Sequence, residues 1–144
     1  MTPQEEFLIK IALEKEFITR MQLERAVSIR NSTEDKDIGE IFVELGFITK
    51  EHLIKADEEV TILEEEMAMI FSQMNKDEEM SLAADVLIFI RSSGKIKKND
   101  LYREFFKIMN YNTFERIMRS LTNSNLVQNI DTGMAIYIEA TEKK

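Results

Sequence analysis

Few residues of this chain could do catalytic chemistry. The chain contains no cysteine, which excludes disulfides, thiolate metal sites and a cysteine nucleophile and is typical of a reducing compartment. His52 is its one histidine, and the sequence around it shows no serine and acid arranged for catalysis. We interpret His52 as a surface residue in the first turn of a helix, and we expect no enzyme activity.

Two acidic runs and one short motif could hold a cation, but their spacing is wrong. The runs 64–66 and 77–79 would place consecutive carboxylates around a helix, where they diverge and cannot converge on one ion. Segment 35–39 lacks the ligand positions of a calcium loop. No glycine-rich phosphate loop occurs. The sequence therefore predicts no metal and no cofactor.

Charge is divided unevenly along the chain. Residues 1–80 contain nine Lys and Arg against twenty Asp and Glu, a net charge of −11, whereas residues 81–144 contain ten against seven, a net charge of +3. The first residues have no secretory signal pattern, and no apolar run approaches the ~18 residues that span a bilayer. We expect a cytoplasmic protein with no membrane span, whose two halves face different partners.

A thirty-residue repeat occupies the first half. The tripeptide Phe-Ile-Thr at 17–19 recurs at 47–49, and Thr19 with Gln22 forms a capping box that opens a helix. The apolar positions that superpose are Leu53 on Leu23, Ala56 on Ala26, Val43 on Leu13 and Ile38 on Leu8. The pattern predicts a domain at 1–60 made of two helical hairpins that share one core.

The last helix of the repeat is expected to continue into a connecting helix and linker at 61–80. Its apolar residues alternate by three and four, the spacing of a coiled coil, and they predict a possible dimer helix. The residues of this face are Val60, Leu63, Met67, Ile70 and Met74. The spacing is equally compatible with a long helix that packs against its own chain.

Residues 81–144 predict a different architecture. The expected elements are a helix ending at Ser92-Ser93-Gly94, a strand at 95–97, two helices across the turn 110–112, and strands at 126–130 and 134–138. The first helix of the pair should bury Leu101, Phe105, Phe106 and Met109, and the second Phe114, Ile117, Met118 and Leu121. Gly133 suits a three-residue hairpin loop with a positive φ. This order is that of a winged helix, so the predicted fold class is mainly α with a small β-hairpin.

The second helix of that pair would read bases in a DNA-binding winged helix. Its expected outward residues are Thr113, Glu115, Arg116, Arg119, Ser120 and Asn123. Arginine and asparagine can contact base edges, and Lys95, Lys97 and Lys98 could hold phosphates. The candidate DNA or partner contacts are therefore Thr113, Arg116, Arg119, Asn123, Lys95, Lys97 and Lys98. Asp131 at the wing tip and Glu115 oppose DNA binding.

The sequence DIGEIFVELGFITKEHLIKADEEV retains the spacing of a known repeat, with Gly39, Gly46, Ile48, Leu53 and Ala56. Through this segment, residues 7–60 resemble the N-terminal helical domain of type II secretion and type IV pilus assembly ATPases. Some members of that family bind cyclic di-GMP. The resemblance implies a shared helical fold.

The nucleotide contacts of that family rest on an arginine that opens each repeat, on glycines and on a closing glutamine. Here the opening positions are Phe7 and Asp37, and the closing positions are Arg30 and Val60. Glycines are replaced in the first copy by Ile9 and Glu16, so the backbone cannot approach a base as closely. We expect cyclic di-GMP binding to be lost.

Two functions from different classes fit these features. The first is a non-enzymatic regulatory or adaptor protein that binds a protein partner or a second copy, with the winged helix as an interaction surface. The alternative is a transcription regulator that dimerises through 53–74 and places Arg116 and Arg119 in the major groove of DNA.

Overall fold

The computed structural model describes residues 1–33, 35–70, 72 and 77–141. Within these residues the protein is mainly helical, as predicted, and the expected hairpin and the short strand before it form a three-stranded antiparallel sheet near the C-terminus. The chain divides into two compact units, Met1–Glu64 and Glu65–Lys144. None of the described helices combines the length and the apolar character needed to cross a bilayer.

Four helices form the first unit, and the last of them runs on into the second. They are α1 (Pro3–Glu14), α2 (Arg20–Ser32), α3 (Ile38–Glu44) and α4 (Lys50–Ile70). The buried apolar residues of this unit are Leu8, Ile11, Ala12, Ile18, Ala26, Ile38, Ile41, Phe42, Ile48, Ala56, Val60 and Leu63. They recur at helical spacing, so each helix turns one apolar face to the core.

The α1–α2 and α3–α4 turns share three backbone hydrogen bonds. In the first turn, the N–H groups of residues 15, 16 and 17 donate to the carbonyls of residues 11, 13 and 12. In the second, residues 45, 46 and 47 donate to residues 41, 43 and 42, which is the same pattern thirty residues later. The predicted Thr19–Gln22 capping box is confirmed: the Thr19 hydroxyl accepts from the Gln22 N–H, and Gln22 Oε1 accepts from the Thr19 N–H.

The predicted dimer face of α4 is buried in the single chain. Val60, Leu63, Met67 and Ile70 are between 0 and 5 % exposed. Met74, the fifth residue of that face, lies outside the described residues. The burial corresponds to the alternative in which the long helix packs against its own chain, so a second copy could not use these four side chains without opening the fold.

Among the described residues after α4, three helices and three short strands form the second unit. They are α5 (Asp77–Ser93), β1 (Ile96–Lys97), α6 (Lys98–Phe105), α7 (Tyr111–Asn123), β2 (Val127–Asp131) and β3 (Ile136–Ala140). The strand order is β1-β3-β2, with both pairs antiparallel. The main core side chains are Val86, Leu87, Ile90, Leu101, Phe105, Phe114, Ile117, Met118, Leu121 and Ile138.

The hairpin differs from the predicted three-residue loop at 131–133. Asp131 pairs with Ile136, so the loop contains four residues, 132–135. The Asp131 side chain accepts from the N–H of Gly133, and Thr132 N–H donates to the carbonyl of Ala135. The loop therefore begins one residue later and ends two residues later than the sequence indicated, while Gly133 has the expected positive φ of 84°.

Candidate interaction surface of the C-terminal unit

Helix α7 positions most of the predicted contact residues. The side chain of Asn110 accepts from the N–H of Thr113 and so caps the start of the helix. Arg119 and Asn123 are exposed, and Thr113 and Arg116 are half-buried. Ser120, predicted to point outward, is only 2 % exposed. Its position three residues after Ile117 and one before Leu121 places it on the buried face of the helix.

Arg116 is held by an acidic residue of α5. Its Nε donates to Glu79 Oε1 at 2.8 Å, and the two side chains are 36 and 10 % exposed. The Glu79 carboxylate is largely withdrawn from water. Moving Arg116 to another partner would therefore leave a nearly buried charge uncompensated, which costs free energy. The arginine best placed by sequence to read DNA therefore already has an intramolecular role.

Lys98 is held in a similar way at the start of α6. Its Nζ lies 2.7 Å from Glu115 Oε1. Burial alone would raise the pKa of Glu115, but the contacts with Lys98 and with the Tyr111 hydroxyl outweigh it, and the pKa is lowered. The hydrogen bond between the Tyr111 hydroxyl and Glu115, together with burial, raises the pKa of Tyr111. Lys98 and Glu115 thus neutralise each other beside α7.

The remaining predicted basic contacts are more open. Lys95, Lys97 and Arg119 are exposed, and none of them forms a salt bridge within the described ranges. Lys97 lies in β1 opposite Tyr137 of β3. The structure therefore separates the five predicted cations into three that are exposed and two that are already paired with glutamates.

An apolar surface lies at the turn between α6 and α7. Phe106, Ile108 and Tyr111, here named the turn patch, are 53, 59 and 52 % exposed. The ring of Tyr111 packs edge-on against that of Tyr102, with centroids 5.2 Å apart. The prediction that Phe106 is buried was wrong, because α6 ends at Phe105 and Phe106 is its C-cap.

An acidic groove of about 700 Å³ lies in the first unit. Six carboxylates line it against two cations, Arg30 and Lys36. Both cations are paired, Arg30 with Glu5 and Lys36 with Glu44. Burial and the nearby Asp37 carboxylate raise the pKa of Asp57 in this groove. The electrostatic character of the groove is unfavourable for a diphosphate.

The two polar positions at which the family resemblance places nucleotide contacts have structural roles here. Asp37 is the N-cap of α3 and accepts from the N–H of Glu40 at 2.9 Å. Arg30 donates two hydrogen bonds to Glu5. His52 is exposed and stacks on Phe17. In the described part of the chain, no group of three His, Cys, Asp or Glu residues could hold a metal ion.

Comparison of the chain with protein-family models, curated proteins and solved structures gave no significant match. Functional inference therefore rests on the chemistry of the surfaces described above.

Proposed function

We propose that this chain is a non-enzymatic regulatory or adaptor protein that acts through protein–protein interaction, with its C-terminal unit as an interaction surface. The observation that carries the proposal is the Glu79–Arg116 ion pair. A DNA-reading arginine must be available to base edges, whereas this one compensates a largely buried carboxylate.

The C-terminal unit is proposed to be a winged helix. The order α5, β1, α6, α7 and a hairpin supports this assignment, as does the sheet order β1-β3-β2. In this interpretation the hairpin β2–β3 is the wing and α7 is the helix that DNA-binding members place in the major groove. The wing tip carries Asp131 and no lysine or arginine, which favours a different partner.

The turn patch supports a protein partner. Exposed aromatic and large aliphatic side chains are enriched at protein interfaces, where they anchor the contact. DNA-binding surfaces are instead polar and strongly basic. Phe106, Ile108 and Tyr111 lie within six residues of one another and each is more than half exposed, so a protein could cover them.

The first unit is proposed to share the fold of the secretion ATPase domain that it resembles, without its nucleotide ligand. The acidic groove and the structural roles of Arg30 and Asp37 support this proposal. Isothermal titration calorimetry with cyclic di-GMP tests it. We expect no heat of binding, and an affinity in the micromolar range would contradict the proposal.

A DNA-binding transcription regulator remains the second candidate. The exposed cations Lys95, Lys97 and Arg119 favour it, since phosphate contacts provide most of the affinity for DNA. In this candidate Arg116 would leave Glu79 and enter the major groove together with Arg119.

Binding to a pooled oligonucleotide library at moderate salt separates the two candidates. The variants are wild type, Arg116→Ala with Arg119→Ala, and Glu79→Gln, which releases Arg116. A matched control is Arg20→Ala with Arg25→Ala, two exposed arginines of α2. We expect only salt-sensitive, sequence-blind binding in all four. Sequence-selective binding that the first double variant abolishes and the control retains would overturn the adaptor proposal.

A further inference from the structure

The outer face of α6 carries charges in a self-complementary order. Asp100, Arg103 and Glu104 are spaced by three residues and one residue, which places them on one side of α6, and Lys107 lies in the turn that follows the helix. All four are exposed. Read along the chain, their charges are negative, positive, negative and positive.

Read in the reverse direction, the charges are positive, negative, positive and negative. Each charge on one helix would therefore face an opposite charge on an antiparallel copy. When two copies of α6 lie antiparallel about a two-fold axis between positions 103 and 104, Asp100 of each copy faces Lys107 of the other. Arg103 likewise faces Glu104 in the other copy. Four pairs of opposite charge result, as an isologous interface requires, because the same surface must complement itself.

The charges are weakly used within one chain. Arg103 and Asp100 approach only to 3.5 Å, and their side chains are 79 and 51 % exposed. An ion pair so exposed contributes little to the stability of a helix. The four groups are therefore available to determine how a second molecule is oriented, which is the main effect of rim charges at an interface.

The turn patch supplies the apolar part of the same surface. Phe106 and Ile108 follow α6 directly and are 53 and 59 % exposed. An antiparallel arrangement brings the turn of each copy beside the start of α6 in the other. Burial of these side chains would provide affinity, and the flanking charges would provide orientation.

We propose that α6 and the turn patch form a two-fold interface with a second copy of this chain. The proposal deepens the proposed function by naming one partner of the C-terminal unit. It also relocates dimerisation from the face of α4 that contains Leu63 and Met67, because that face is buried within the single chain. Because the proposed interface consists of one eight-residue helix and the turn after it, we expect an association in the micromolar range.

Charge reversal tests the proposal through sedimentation equilibrium at ~100 μM protein, a concentration suited to this affinity. One variant, Arg103→Glu with Lys107→Glu, makes the face wholly acidic; the other, Asp100→Lys with Glu104→Lys, makes it wholly basic. We expect wild type to dimerise and each variant alone to associate more than about tenfold more weakly, since like charges then face each other. An equimolar mixture of the two variants should restore the dimer.

Matched controls change the same charge elsewhere. Arg20→Glu with Arg25→Glu and Glu14→Lys with Glu24→Lys alter exposed residues of α1 and α2, and they should dimerise as wild type does. Circular dichroism verifies that each variant is folded. Monomeric wild type, variants that dimerise normally, or a mixture of folded variants that stays monomeric would each overturn the interface.

Cross-linking provides a second measurement. The chain contains no cysteine, so Glu104→Cys introduces a single thiol next to the proposed axis. It should form an intermolecular disulfide under mild oxidation much faster than Glu24→Cys, an exposed control on α2. Equal rates would contradict the proposal. If neither measurement detects this interface and DNA binding is sequence-blind, the interface is wrong and the adaptor function is retained. Sequence-selective DNA binding would instead contradict the adaptor function, so the two failures are distinguishable.

Discussion

The two hairpins of the first unit share three backbone hydrogen bonds at their turns, but different side-chain interactions hold their helices together. In the first hairpin, Glu5 accepts two hydrogen bonds from Arg30 and one each from the N–H groups of Thr2 and Ile38. Thirty residues later, the position of Glu5 is held by Asp35, which is exposed, and that of Arg30 by Val60, which is 5 % exposed.

The two copies therefore share a backbone arrangement, while the side-chain interactions that hold their helices differ. The first hairpin uses the Glu5–Arg30 ion pair, which also satisfies the starts of α1 and α3, whereas in the second the Arg30 position is a buried valine and the Glu5 position is exposed. Arg30 and Val60, at the closing positions of the two copies, thus stabilise the helices by different interactions. Exchanging residues between the copies tests how far this equivalence extends.

The largest effect is expected from Glu5→Gln. The hydrogen bond from Arg30, against the opposing effect of burial and with help from the N–H groups of Thr2 and Ile38, lowers the pKa of Glu5 from 4.5 to about 2. The variant should lose on the order of 3 kcal/mol of unfolding free energy at pH 7, measured by urea denaturation.

The pH dependence gives a sharper test of the same pair. Because the folded pKa is depressed, the stabilisation is complete above pH 4.5 and is lost as pH falls toward 2. The difference between wild type and Glu5→Gln should therefore shrink over that range. Val60→Ala should cost about 2 kcal/mol with no such pH dependence. Parallel pH profiles for the two variants would contradict the assignment.

Gly39→Ile, which places the residue of the first copy into the second, should come next. A Cβ at position 39 would lie 3.1 Å from Leu53 and 3.2 Å from Leu8, so a branched side chain would displace both. We expect a loss of about 2 kcal/mol in urea denaturation. Glu40→Ile, at an exposed position of the same helix, is the control and should be nearly neutral.

A smaller and opposite effect is expected at the turns. Glu16 and Gly46 occupy equivalent positions with φ of 61° and 75°, a conformation that strains residues other than glycine. Glu16→Gly should stabilise the protein by about 0.5–1 kcal/mol, and Gly46→Glu should destabilise it by about 1 kcal/mol. Thermal melting that shifts both variants in the same direction would refute the equivalence.

The smallest effect is expected from His52→Ala. The imidazole stacks on Phe17 with ring centroids 4.3 Å apart and an interplanar angle of 4°, whereas the equivalent position in the first copy is Gln22. Loss of the stack should cost about 0.5 kcal/mol. Lys55→Ala, exposed on the same helix, controls for the general effect of alanine in α4, and an equal cost for both would assign no energy to the stack.

Local periodicity in the sequence predicted the helical class, the thirty-residue repeat and the elements of the second unit, because these depend on contacts between residues close in sequence. It did not predict the Glu79–Arg116 pair, whose members are 37 residues apart. Phe106 was expected in the core and Ser120 at the surface. Phe106 is exposed because α6 ends at Phe105, and Ser120 is buried because it lies on the same side of α7 as Ile117. The sequence therefore nominated candidate contact residues, and the structure shows that two of them, Lys98 and Arg116, are already paired with glutamates.

The boundary between the two units within α4 has a practical consequence for fragments of the protein. A fragment that ends at residue 60, where the sequence placed the boundary, would remove Leu63, which is only 2 % exposed, from the first unit. One that begins at residue 81 would lack Glu66 and leave Arg91 without that carboxylate. Limited proteolysis of the folded chain should therefore spare the middle of α4, and independent expression of either half should require its own share of that helix.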